Sequence, residues 1–312
     1  MSSADVPIHG SQPPRLVSAN GIQIREDVLY TNAKGEPDDR SRKRADEALA
    51  SLHDVLPSLL EPNEAVLYVI KSCQAPLGAL EQLFLGWYVY RVTATRLVFT
   101  NFRLLHFGMG SDGKWNRTLK TLRWGDVTGA KVKGWINRLL ELRYANGTKE
   151  RYWRLPKKDG KKARAILDAV LPQSRGEATA AQGFQSICPD CRTPLAAGNY
   201  QCGNCGLKFK DEKTLRWRTI LIPGGGYLYA GMTLLGVLAF LSEGIFTLAT
   251  IFSVLMAVGL IPPETAENGQ KMGPADLWGA ALILAFILAL NKALEYLHSR
   301  RVIRSFIPLK KP

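Results

Sequence analysis

Hydrophobic and polar positions divide this chain near residue 218. Before it, apolar and charged residues alternate in short blocks; from Thr219 to Leu297 the chain is largely apolar. The apolar part falls into two runs, 219–260 and 277–297. A helix needs about 20 mostly apolar residues to cross a bilayer. The second run fits one crossing. The first is too long for one, and its opening "IPGGGYLYAG" (222–231) carries a proline and three consecutive glycines that break a helix. The pattern therefore predicts an interfacial segment over 211–230, a transmembrane helix over 231–260, a second over 277–297, and a tail over 298–312.

The polar part carries β periodicity between residues 64 and 155. "EAVLYVIKS" alternates. The stretch 86–107 is rich in β-branched and aromatic residues, with a turn expected near Thr93–Thr95. Strands are expected at 118–124, 127–133 and 139–155, the last folded on itself at Asn146–Gly147. A two-residue loop there sets Arg151 opposite Leu142; a bulged three-residue loop sets Tyr152 opposite Leu142. Over 158–172, Ala163, Ile166, Leu167 and Val170 form a helical stripe, with Asp159 as its N-cap. Ala45, Ala48, Leu49, Leu52 and Leu56 form another over 38–60. The domain is thus 38–172, antiparallel strands followed by a helix, and 1–37 reads as a flexible segment without an element and without a secretory leader.

Charge then sets direction. The chain has 41 Lys+Arg against 27 Asp+Glu, a formal +14, which favours an anionic partner. Lys208, Lys210, Lys213, Arg216 and Arg218 precede the apolar part, and Arg300, Arg301, Arg304, Lys310 and Lys311 follow it; the loop 261–276 holds one base, Lys271. By the positive-inside rule both ends face the cytosol, as in a bacterial inner-membrane protein. Glu243 and Lys292 are ionisable residues within the spans. Their depths along the two helices allow them to pair, and snorkelling to the interface is the other reading. Twelve bases against three acids lie between 131 and 164. Lys131, Lys133, Arg151, Arg154, Lys157, Lys158, Lys161 and Lys162 are the candidates for an anionic-surface contact, either lipid headgroups or, as an alternative, nucleic acid.

Four of the five cysteines stand as "CPDCRTPLAAGNYQCGNC", two Cys-x-x-Cys pairs ten residues apart. Such pairs can wrap four thiolates around one metal. Cys188, Cys191, Cys202 and Cys205 are the candidate ligands, with Gly203 and Gly206 suited to the second turn, and Cys73 is expected to be a buried apolar residue. The spacing resembles that of zinc ribbons, which implies one structural Zn²⁺ in a module over 186–210. The polar, Ala/Gly-rich stretch 173–185 reads as the linker before it.

Two further resemblances bear on fold. "VTATRLVFTNFRLLHF", with Thr93, Arg96 and Leu97, and the lead-in "LLEPNEAVLYV" are similar to bacterial pleckstrin-homology-like and GRAM-like domains. This implies a multidomain α+β chain: a PH-like β-sandwich or barrel closed by a C-terminal helix, then the ribbon, then a transmembrane hairpin. Members that bind phosphoinositides carry bases on the first strand pair; here "CQAPLGALEQLFLG" (73–86) has one acid and no base. Pro223, Gly224, Gly226 and Tyr229 also resemble the Pro-Gly-x-Gly-x-x-Tyr opening of small bacterial membrane hairpins. No phosphate loop, nucleophile elbow or carboxylate pair appears, and the four histidines are scattered. The expectation is a non-enzymatic membrane scaffold, adaptor or sensor with a protein partner. The alternatives are a membrane-tethered nucleic-acid binder and a small transport or assembly factor.

Overall fold

Long runs of β-branched and aromatic residues can be buried on both faces only if something covers each face. The first unit of the chain, Met1–Leu207, is arranged this way. The structure, a computed structural model, describes residues 8, 15–19, 21–74, 94–110, 112–135, 138–174, 183–262 and 273–309. In chain order the first unit has β1 (Leu16–Ala19), β2 (Ile22–Arg25), α1 (Glu26–Leu29), α2 (Asp39–Ala50), α3 (Leu56–Leu59), β3 (Val66–Gln74), β4 (Ala94–Thr100), β5 (Arg103–Met109), β6 (Trp115–Arg123), β7 (Val127–Lys133), β8 (Arg138–Tyr144), β9 (Lys149–Leu155), α4 (Lys157–Val170) and β10 (Gln185–Ser186).

The main sheet runs β10-β6-β5-β4-β3-β9-β8-β7. Its pairings are antiparallel, apart from the single parallel bridge Ile24↔Val66 between β2 and β3. β6 and β7 lie at far positions in this order, yet only the 3-10 turn Trp124–Asp126 joins them. The sheet must therefore curl so that these strands approach at one corner. Inside the curl lie Leu97, Phe99, Leu104, Leu140, Leu142 and Tyr152, with Ala163, Ile166, Leu167 and Val170 of α4 packed in the same core, while Leu105 and Phe107 register with Val98 and Arg96 on the opposite face. Every residue of β5 is buried. On β3 a second layer comes from α1 and α2, which carry Val28, Leu29, Ala45, Ala48 and Leu49 into the core.

Several expectations change here. Residues 16–29 are not featureless: β1 and β2 form a hairpin, and Ile22, Ile24, Val28 and Leu29 are buried. Four-residue strands hold too few positions to show a period. The helical stripe over 38–60 breaks into α2 and α3, because residues 51–55 form a turn. Among the described residues the turn in 94–107 falls at Asn101–Phe102, where Asn101 Oδ1 accepts from the Ala65 amide (2.8 Å). The expected turn at Thr93–Thr95 gives way to strand at 94–95, and Thr93, with the rest of 75–93, lies outside the described residues. The Asn146–Gly147 loop has three residues, and Gly147 adopts φ +77. It sets Tyr152 opposite Leu140 and Glu150 opposite Leu142, so both expected registers shift. The α4 N-cap is Pro156, not Asp159; Asp159 instead accepts from the Tyr68 hydroxyl (3.0 Å) inside the core.

The second unit, Lys208–Pro312, contains α5 (Glu212–Leu221), α6 (Gly225–Ala230), α7 (Thr233–Ala257) and α8 (Pro274–Ile303). α7 and α8 are long and apolar enough to cross a membrane. At 1.5 Å per residue they span about 37 and 45 Å. Large apolar side chains such as Phe240, Ile245, Leu248, Leu282, Ile283 and Phe286 are exposed along them. That exposure suits lipid and not the core of a soluble bundle. Phe209, within the module expected over 186–210, belongs to this unit: its ring meets Phe306 edge-on at 5.6 Å, and it bridges Pro308.

Candidate functional site

The four cysteines come together through two turns of the same construction. In the first, the Cys188 amide donates to the Thr193 carbonyl (2.9 Å) and the Arg192 amide to the Cys188 carbonyl (3.0 Å). In the second, the Cys202 amide donates to Leu207 (2.9 Å) and the Gly206 amide to Cys202 (3.0 Å). The residue after each pair, Arg192 or Gly206, has a left-handed backbone with φ +65 or +74. Gly203 needs no such freedom. All four sulfurs lie within 4.8 Å of one another, with Cys188–Cys205 at 3.6 Å and Cys191–Cys202 at 3.4 Å. A tetrahedron with metal–sulfur bonds of about 2.3 Å has edges of about 3.8 Å, so the set fits one Zn²⁺. Thr193, whose hydroxyl is 3.3 Å from Cys191 Sγ, draws that thiol down to about 5, while burial pushes Cys188 up to about 12. A cation that takes all four as thiolates displaces their protons, so it binds more tightly as pH rises.

The cluster is not held on a free linker. Of the expected linker 173–185, residues 183–185 are described on the near side of the ribbon, and 175–182 lie outside the described residues. Phe184 packs edge-on against His106 (5.7 Å) and Tyr152 (5.9 Å). β10 then pairs with β6 through Gln185↔Thr121 and Ser186↔Lys120. The Ile187 amide donates to Leu119 (3.0 Å), and Arg117 is ion-paired with Asp190. The strand that delivers Cys188 is therefore part of the main sheet.

The basic candidates divide. Lys131 and Lys133 on β7 and Arg151 on β9 share the outer face of the β7–β9 sheet, since Lys131, Glu141 and Arg151 stand in register across it. Arg143, which sequence reasoning did not single out, and Lys149 lie on the same face. Glu141 collects Arg143 (2.9 Å), Arg151 (3.2 Å) and Lys133 (3.5 Å), and its carboxyl is held down to about 2, chiefly by Arg143. Arg154 sits at a bulge of β9 with φ +58. Lys157, Lys158 and Lys161 are exposed on α4, Lys158 being 4.0 Å from Asp38. Lys162 is not a surface base: it is 2% exposed, and its Nζ donates to Thr31 Oγ1 (2.7 Å) and the Asn32 carbonyl (2.9 Å).

Glu243 and Lys292 meet at 2.7 Å. Glu243 is 2% exposed, so within this unit it pairs and does not snorkel. A third member, Glu295, lies 3.5 Å from Lys292 on the same helix. The i,i+3 spacing of Lys292 and Glu295 is the signal that could have found it. All three hold the glycine turn. Glu243 accepts from the Gly224 amide (2.9 Å), Glu295 from those of Gly226 (2.6 Å) and Tyr227 (3.2 Å), and Lys292 donates to the Ile222 carbonyl (3.0 Å). Gly224 has φ +64, and a Cβ there would run into the Gly236 carbonyl; one on Gly226 would meet Thr219 and Glu295. Tyr229, last of the signature, hydrogen-bonds Asp211 and receives the Arg218 guanidinium over its ring at 5.0 Å. No family model, curated protein or solved structure matches the chain.

Proposed function

We propose that this chain is a non-enzymatic integral membrane protein of the bacterial inner membrane. It presents a PH-like β domain and a structural zinc ribbon to the cytosol and works as a membrane-surface scaffold, adaptor or sensor for a protein partner. The observation that carries this reading is the closed four-cysteine set in a chain with two membrane-length helices. Four thiolates leave a tetrahedral Zn²⁺ no position for water or substrate, so the metal contributes folding energy, about 10–16 kcal/mol in comparable sites. The charged cluster in the second unit supports the same view, because its carboxylates are engaged by backbone amides of the glycine turn.

The test is metal analysis of the full chain purified from membranes, followed by removal of the metal. The expected result is one zinc per chain and resistance to alkaline carbonate extraction. A strong chelator should then speed amide hydrogen exchange at Leu119–Thr121 and Gln185–Ile187, where the ribbon's leading strand joins β6. Carbonate-soluble chain, or intact cysteines without zinc, would overturn the reading.

A further inference from the structure

The outer face of β7–β9 gathers bases from all three strands. Lys131, Lys133, Arg143, Lys149 and Arg151 surround one acid, Glu141. At one end of this face stand two exposed tryptophans. Trp135, in the turn after β7, is 79% exposed, and Trp153, at the β9 bulge, is 40% exposed. Lys133 pairs with Leu139, and Leu139 stands beside the bulge that carries Trp153, so both indoles mark the same end. A large exposed indole is costly in water and common at the bilayer interface, where the ring sits at headgroup depth.

We infer that this basic, tryptophan-ended face docks flat on an anionic lipid bilayer. The inference rests on the membrane-anchored reading above and names the surface that the β domain meets. Charge complementarity supplies the first argument: each base near an anionic leaflet gains about fivefold in association. Shape supplies the second. The residues spread over a three-stranded sheet face in rows, which suits an extended charged surface. Placement of the aromatics supplies the third. A single-stranded nucleic acid needs aromatic platforms spaced along a basic groove, whereas these indoles gather at one end, as a wedge entering the interface would. Glu141 moderates the contact by occupying three of the bases.

Among the described residues β7 pairs with β8 alone, so its amides on the other side can report a contact. The full chain would be placed in nanodiscs of phosphatidylcholine alone or mixed with phosphatidylglycerol, and hydrogen exchange followed over 127–155. Protection that appears only with phosphatidylglycerol is the expected result. It should fall about fivefold for each base removed among Lys131→Gln, Lys133→Gln and Arg151→Gln, fall in Trp135→Ser, and rise in Glu141→Gln. Unchanged exchange at Leu104–Phe107 shows that a variant is folded. Equal exchange in both lipids, or protection kept by the triple variant, overturns the inference. So does protection conferred by oligonucleotide in neutral discs, which would make the face a nucleic-acid surface. Failure of the anchored reading itself would show separately, as carbonate-extractable chain.

Discussion

Arg192 and Gly206 hold the same place in the two cysteine turns, and only one of them is a glycine. The left-handed backbone costs an L-residue about 1–2 kcal/mol, and Arg192 bears that cost at φ +65. A Cβ on Gly206 would meet only Gln201 Nε2, at 3.9 Å, so space is no obstacle there and the backbone alone decides. Arg192→Gly should therefore tighten zinc retention by about fivefold, and Gly206→Ala should loosen it by a similar factor. Competition with a chromogenic chelator measures both, and a neutral Gly206→Ala would contradict the account. Lys162 makes a second residue-scale case. Burial brings its ammonium down to about 7, whereas an unfolded lysine titrates near about 10.4. Between those values the unfolded chain binds the extra proton, so stability rises with pH from about 7 upward, and the full cost is present below that. Urea midpoints at neutral and alkaline pH should climb in the native chain and climb less in Lys162→Met. Parallel curves would show that Lys162 is not the source.

Among the elements, the glycine turn between α5 and α6 is held by charges distant in sequence. Lys292 stands between Glu243 and Glu295. Removing it leaves two buried carboxylates facing one another, a loss of about 3–5 kcal/mol for a broken buried pair. Removing Glu243 leaves Lys292 still beside Glu295, a smaller injury. Lys292→Met should lower the thermal midpoint in detergent more than Glu243→Gln does, and Glu243→Gln added to Lys292→Met should recover part of it. Strict additivity would show that the three do not act together. These elements differ in how openly the sequence announces them. The stripes of α2 and α4 are legible because a 3.6-residue period repeats over several turns, and the two apolar runs because they stay apolar over a bilayer-spanning length. The Cys-x-x-Cys spacing is equally plain, since the chemistry allows few other uses. Strand register is not legible at Asn146–Gly147, where one residue of loop length moves every pair. Nor is the burial of Lys162: its partners, Thr31 and Asn32, lie some 130 positions away in a stretch without periodicity.

For the whole molecule, orientation is the property that joins sequence to use. The positive-inside rule counts bases near the span ends, and acids count for little. The two flanks hold five bases each, and the sequence 261–276 between the apolar runs holds one. The second unit adds a geometric reason for an even number of crossings. The Lys210 amide donates to Ile307 (2.9 Å) and the Leu309 amide to Lys208 (3.0 Å), so the residues that precede the apolar part pair with those that follow it. Glu212 at the start of α5 binds Arg300 (2.8 Å) and Arg304 (2.9 Å) near the end of α8. Both basic flanks thus occupy one end of this unit, and a bilayer crossed by α7 and α8 has them on one side. With the flanks in the cytosol, an Asn268→Cys variant should react with an impermeant maleimide in intact cells, and Leu309→Cys only after permeabilisation, each above the background of the native cysteines. The reverse pattern would place the cysteine cluster in an oxidising compartment, where disulfides would compete with metal. That outcome would remove the ground for the zinc reading and for cytosolic lipid docking together.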